Sequence, residues 1–207
     1  MRLSAEKVAL ERGGRLVFAE LSLEVGAGEA LVIVGPNGAG KSSLLRAIAG
    51  FLPLAAGRIE LHSGEADASL GEQAHYLGHA DALKGALTAG ENLSFWAGVC
   101  GGDSSRNACS RALGCLGLAH VADFPVHALS AGQKRRVALA RLLVAERPLW
   151  LLDEPTTALD AAAQALFAGV MGEHLTSGGL ILAATHAPLG LEGARTLYLG
   201  PAESVAA

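Results

Sequence analysis

The residues Gly35-Pro36-Asn37-Gly38-Ala39-Gly40-Lys41-Ser42 follow directly on the apolar run Ala30-Leu31-Val32-Ile33-Val34. That order predicts a backbone cradle for the phosphates of a nucleoside triphosphate. Glycines at 35, 38 and 40 omit the Cβ atoms that would keep successive N–H groups from turning inward onto phosphate oxygens. A helix starting near Lys41 adds the positive end of its dipole. Lys41 is placed to reach the β and γ phosphates and the Ser42 hydroxyl to hold Mg²⁺, with Pro36, Asn37, Ala39 and Ser43 in the same nucleotide-binding stretch.

The run Leu149-Trp150-Leu151-Leu152 ends in Asp153 and Glu154. Apolar strands do not end in paired acids by default. At the carboxyl end of a core strand, Asp153 can hold Mg²⁺ through its water shell and Glu154 can orient or deprotonate the water that attacks the γ-phosphate. A third segment, Leu129-Ser130-Ala131-Gly132-Gln133, reads locally as a capping box, Ser130 with Gln133 three residues on. A helix N-terminus with a free hydroxyl and a glycine backbone is also a second phosphate grip. Lys134, Arg135 and Arg136 after it are expected to form a solvated basic helix face.

These groups need a scaffold. The 207 residues, 51% hydrophobic and 17% charged, suit one α/β domain with a sizeable core. Short strands are predicted at 7–10, 16–18 and 21–25, forming an antiparallel sheet ahead of the phosphate loop. Next come the strand 30–34, a helix over 41–49 ended by Gly50, and strands at 58–61 and 74–77, with a polar loop at 63–71 that carries no recognisable chemistry. From Thr88 to about Arg147 the pattern is helical, opened by a Thr88/Glu91 capping box. Alternation resumes with strand 149–152, helix 161–171, strand 180–184 and a last strand near 196–199.

A net charge of -4 gives no general electrostatic case for nucleic acid. No apolar run approaches the ~18–20 residues of a membrane span, and the first residues lack the apolar stretch of a signal peptide. Cys100, Cys109 and Cys115 match no zinc spacing and read as free thiols. His75 and His79 invite a metal or haem-ligand reading, but an extended segment spreads their side chains too far for one site.

In this setting the segment 129–133 resembles the signature sequence of ATP-binding cassette ATPases, with Ala131 where the commonest version has glycine, and the resemblance runs from Val8 to about His186. It implies a P-loop NTPase core of the ABC type, with an N-terminal antiparallel β subdomain and an inserted helical subdomain at roughly 88–147, all within one domain, 1–207. It further implies a head-to-tail homodimer with two ATP sites. Each would combine the phosphate loop, Asp153, Glu154 and His186 of one chain with Ser130 to Gln133 of the other, with Asp160 in the loop crossing the interface. Lys41, Glu154 and His186 would be the catalytic residues, and Ser42 and Asp153 the metal ligands.

Two positions depart from the family pattern. Arg12 stands where an aromatic stacks on adenine, and His79 where a glutamine ends the strand before the helical insert. A guanidinium can stack on a purine, and a neutral imidazole can bond a water of the metal or the attacking water. These features, with Tyr76-Leu77-Gly78-His79 and the run 129–141, resemble the ATP-binding subunit of bacterial haem exporters that serve cytochrome c maturation. The resemblance implies a peripheral protein on the cytoplasmic face of the inner membrane, bound to a multispanning subunit. Trp96 is the expected anchor for that partner and Phe95 the expected core residue. The alternatives are the ATPase of a small-molecule, lipid or peptide exporter and a soluble cassette protein of Fe–S cluster assembly.

Overall fold

The structure, a computed structural model, describes residues 1–65 and 67–200. Ala66, in the polar loop 63–71, and the last seven residues of the expected domain lie outside the described residues. The elements in chain order are β1 (Arg2–Arg12), β2 (Arg15–Gly26), β3 (Ala30–Val34), α1 (Lys41–Ile48), β4 (Ala56–His62), β5 (Ala74–Leu77), α2 (Ala89–Cys100), α3 (Arg106–Cys115), α4 (Ala131–Ala140), β6 (Leu149–Asp153), α5 (Ala161–Thr176), β7 (Leu180–Ala184) and β8 (Arg195–Tyr198). Short 3₁₀ turns stand at Leu70–Gln73, Ala119–Val121, Val126–Ala128 and Arg141–Leu143.

The antiparallel sheet has the order β2-β1-β4. Its strands run longer than their sequence pattern implies, for a definite reason. Leu3 and Ala5 are buried at odd positions of β1, whereas Val8 and Leu10 are buried at even ones. The pairing with β2 shifts between Ala5 and Val8, and Lys7 sits there at φ 46°. One bulged residue thus flips the inward face and hides the continuity of the strand from a search for strict alternation. Glu20, at φ 51°, lies likewise between buried Phe18 and Val25, so 16–18 and 21–25 are one strand.

The second sheet is parallel, with the order β5-β6-β7-β3-β8. Both of its faces are covered, so its central strands are apolar throughout. Leu149, Leu151, Leu180 and Leu182 pack on one face with Leu44, Leu45 and Ile48 of α1. Trp150, Leu152, Ile181 and Ala183 pack on the other with residues of α2, α4 and α5, including Leu93, Val137 and Phe167. Helix α5 continues five residues past Met171 because Gly172 alone does not stop it; the turn at Ser177 and Gly178 does. β3, β6 and β7 are neighbours and run in the same direction, so the segments leaving their carboxyl ends emerge side by side. Among the described residues, no helix is long and apolar enough to cross a membrane.

Candidate functional site

Three chain reversals form the floor of the site. The first leaves β3 at Gly35, whose φ of 149° and close approach to the Leu199 carbonyl exclude a Cβ. Gly40 caps α1 at φ 100°, and a Cβ there would lie 2.5 Å from Val17 Cγ1. Between them Gly38, at φ 85°, faces open space. Lys41 folds back over the loop, donating to the carbonyls of Gly35 at 2.6 Å and Pro36 at 3.1 Å, and its Nζ lies 3.1 Å from His186 Nε2. The residue is buried, yet it lines the cavity above the loop.

The second reversal follows β6. Ser42 donates to Asp153 Oδ1 at 2.9 Å, so a hydroxyl from α1 and a carboxylate from β6 already share one point. Such a pair of oxygen donors beside a phosphate loop fits Mg²⁺, a hard cation that keeps most of its own water. Glu154 follows at φ 48°, left-handed for a residue with a Cβ. Its N–H donates to the Ala184 carbonyl at 2.8 Å. The third reversal follows β7, where buried Thr185 donates to Glu154 Oε2 at 3.2 Å and accepts from the Ala187 N–H at 3.0 Å.

A cavity of about 650 Å³ opens above this floor, lined by Arg12, Gly13, Val17, Asn37, Gly38, Gly40, Lys41, Ser42, Ser43, His79, Asp153 and Glu154. Arg12 and His79, the two departures from the family pattern, therefore stand on the same cavity as the phosphate loop. Gly35 and Pro36 contribute carbonyls to Lys41 from below, and Ala39 turns into the core.

Ser130, Ala131, Gly132, Gln133 and Asp160 do not line this cavity. Ser130 caps α4, its Oγ accepting from the Gln133 N–H at 3.2 Å while Gln133 Oε1 accepts from the Ser130 N–H at 2.9 Å. Ser130 and Ala131 are exposed, whereas Gly132 packs on the carbonyl of Ala158, itself left-handed at φ 64°. Asp160 caps α5, accepting from the Ala163 N–H at 2.8 Å.

Two expectations are corrected. Arg135 is not on a solvated face: it is 4% exposed and bonds to four carbonyls and to Asp81. The spacing of Arg135, Ala138 and Leu139 along α4 carried the signal, because it puts the arginine on the helix's buried face. Phe95, expected in the core, is instead exposed, and Trp96 is half-buried. Trp96 donates to the Ala82 carbonyl at 3.2 Å under the guanidinium of Arg141, while Phe95 is 39% and Val99 60% exposed. Burial pushes the Arg141 guanidinium down to about 10.

The two histidines near the end of β5 differ. His79 is exposed at the cavity, whereas His75 is buried with Nε2 2.8 Å from the Ala145 carbonyl, and burial lowers it from 6.5 to about 4. His75 is a neutral core histidine. Among the described residues no three His, Cys, Asp or Glu side chains are grouped to hold a metal ion.

Residues 18–157 match the family model described as ABC transporter. The chain belongs to the ABC transporter family. It is accordingly a transporter ATPase that binds and hydrolyses ATP. It is 56% identical over 202 residues to the cytochrome c biogenesis ATP-binding export protein CcmA of Nitrobacter winogradskyi, covering 98% of this chain and 100% of that one. The protein of the same description from Bradyrhizobium diazoefficiens is 55% identical, over 97% of this chain and 98% of its own. Among solved structures, a putative ABC transporter ATP-binding protein from Pyrococcus furiosus shares the fold, with a TM-score of 0.83 at 20% identity, over 96% of this chain and 98% of that chain. A bacterial Atm1-family ABC exporter with ATP bound matches with a TM-score of 0.82 at 26% identity, over 98% of this ATPase and 38% of the exporter chain.

Proposed function

We propose that this ATPase powers a haem exporter of cytochrome c biogenesis, as a homodimer docked on a multispanning subunit at the cytoplasmic face of the bacterial inner membrane. The observation that supports the hydrolytic assignment is the convergence of Lys41, Ser42, Asp153, Glu154 and His186 at the ends of three adjacent parallel strands. The identity of 56% with an export protein of cytochrome c biogenesis supports the cargo.

In this reading the loop 35–42 and Lys41 bind the β and γ phosphates, with Ser43 beside them at the start of α1 and Arg12 stacking on the base. Ser42 and Asp153 would hold Mg²⁺, which would supply neutralisation of phosphate charge. Glu154 accepts a proton from the attacking water or orients it, with Thr185 fixing one carboxylate oxygen. His79 lines the same cavity as Glu154 and would bond water there. His186, beside Lys41 Nζ, contacts the γ-phosphate.

The exposed Ser130 end of α4 completes the site of a second chain, and Asp160 crosses between the two. Two such sites in one dimer hydrolyse ATP only when closed, which converts turnover into a stroke on the membrane subunit. Exposed Phe95 and Val99 on α2 are the contact for that subunit.

The test is a haem stain of c-type cytochromes in cells whose only copy carries Glu154→Gln, with protein level and membrane recovery measured in parallel. Loss of covalent haem at normal protein level is expected. Unchanged staining would leave the ATPase standing and remove haem as its cargo, pointing instead to a small-molecule, lipid or peptide exporter.

A further inference from the structure

All three nitrogens of the Arg135 guanidinium are engaged, and their partners include or adjoin residues that line the ATP cavity: Asp153, Glu154 and His79. Nε donates to the Pro155 carbonyl at 3.2 Å, and Nη2 to those of Asp153 at 3.1 Å and Glu154 at 2.7 Å. Three consecutive carbonyls are thus gathered on one planar group, at the segment where Glu154 holds its left-handed φ of 48°. A non-glycine residue in that region is strained and persists only when its surroundings over-determine it. Nη1 reaches the segment after β5, donating to the Gly78 carbonyl at 3.1 Å, directly before His79, and to Asp81 Oδ1 at 2.9 Å. The arginine itself stands five residues, ~7.5 Å of helix, from the Ser130 cap of α4.

We infer that Arg135 is a positioning residue for hydrolysis, fixing Glu154 and His79 relative to each other and tying both to the helix that begins at Ser130. The inference rests on the reading of Glu154 as the group that acts on the attacking water. A displacement of the Ser130 end, such as the docking of a second chain's nucleotide would cause, moves the guanidinium with its helix. Through its bonds to Asp153, Glu154 and Pro155, that motion reaches the carboxylate. Lysine cannot replace it, because a single ammonium has no planar fork with which to hold three carbonyls on one side and two acceptors on the other. Among the described residues Asp81 is the only acid paired with Arg135; the remaining partners are carbonyls, so the guanidinium serves geometry more than charge balance.

The experiment compares wild type, Arg135→Lys, Asp81→Asn and Glu154→Gln in the full chain, reading ATP Kd, kcat, KM and melting temperature. Arg135→Lys is expected to bind ATP within about threefold of wild type while kcat falls at least about tenfold, the signature of a contact that matters in the transition state rather than in the bound state. Asp81→Asn, which keeps the guanidinium and removes one charge-assisted bond, is expected to lower kcat by about threefold at unchanged Kd. A merely structural arginine would shift the melting temperature and leave kcat per ATP-binding chain at the wild-type value, which overturns the inference. If Arg135→Lys does not fold, Asp81→Asn decides: unchanged kcat there overturns the inference. If Glu154→Gln itself hydrolyses ATP normally, the reading of Glu154 fails. If it is inactive while Arg135→Lys turns over at the wild-type rate, only the positioning role fails.

Discussion

Acid weakens this fold through His75, and His75→Gln removes that part of the weakening. The imidazole is 7% exposed and lies against the Ala145 carbonyl, with Arg141, Arg147 and His174 near enough to oppose a further positive charge. Burial is the largest cause of its descent from 6.5 to about 4. In the unfolded chain His75 takes up a proton as the pH falls through 6.5, whereas in the folded chain it stays neutral until about 4. Between those values the unfolded state binds more protons, so stability rises with pH and is lost on acidification. At 1.36 kcal/mol per pH unit, the interval amounts to about 3 kcal/mol, of which about 2.5 kcal/mol falls between about pH 7.5 and about pH 4.5. The assay is urea unfolding of wild type and His75→Gln across that range. Carboxylates shared by the two proteins cancel in the difference, so the gap between the curves should close by about 2.5 kcal/mol on acidification. Parallel curves would refute the reasoning. So would a His75 midpoint in the folded protein, followed by NMR, that stays near 6.5.

Gly40→Ala should lower both the melting temperature and ATP affinity, because its Cβ meets Val17 Cγ1 at 2.5 Å at a φ of 100°; wild-type values for both would refute the close packing of the loop against β2. Phe95→Asp should reduce recovery of the ATPase with membranes while leaving ATP binding intact. Trp96→Ala should instead loosen the segment around Ala82, seen as faster amide exchange there. Mixing Lys41→Ala with Ser130→Arg, each inactive alone, should restore about a quarter of wild-type turnover, since half of the dimers are mixed and each holds one intact site. Activity no greater than the sum of the two alone would contradict a site shared between chains.

The phosphate loop and the acidic end of β6 were legible because their chemistry is compressed into short runs. The strands behind them were legible because the sheet is covered on both faces, so β3, β6 and β7 are uninterrupted apolar stretches. The antiparallel sheet was only partly legible: the bulges at Lys7 and Glu20 invert the inward face midway, and alternation read in one phase breaks each strand in two or cuts it short. Arg135 was misread because charge suggests solvent, and only the tertiary arrangement supplies the carbonyls of 78, 153, 154 and 155 that satisfy it. Phe95 was misread for the converse reason: an aromatic ring on a helix suggests core, but the fold leaves it exposed. Trp96 is engaged from within the chain by the Ala82 carbonyl and the Arg141 guanidinium, contacts that only the tertiary arrangement supplies. Thr185, which holds Glu154 and the chain after β7 together, gives no sign of this in sequence beyond its place before His186.

The decisive measurement is the mass in solution of Glu154→Gln with ATP and Mg²⁺, with hydrolysis followed in the same sample. If Glu154 acts on the attacking water and Ser130 closes on the nucleotide of a second chain, two chains of 21.0 kDa associate into a species of about 42 kDa that binds ATP without turning it over. Adding Ser130→Arg should return that species to one chain. A Glu154→Gln protein that stays at 21.0 kDa with ATP bound would contradict the site shared between chains, and one that hydrolyses ATP at the wild-type rate would contradict the role of Glu154.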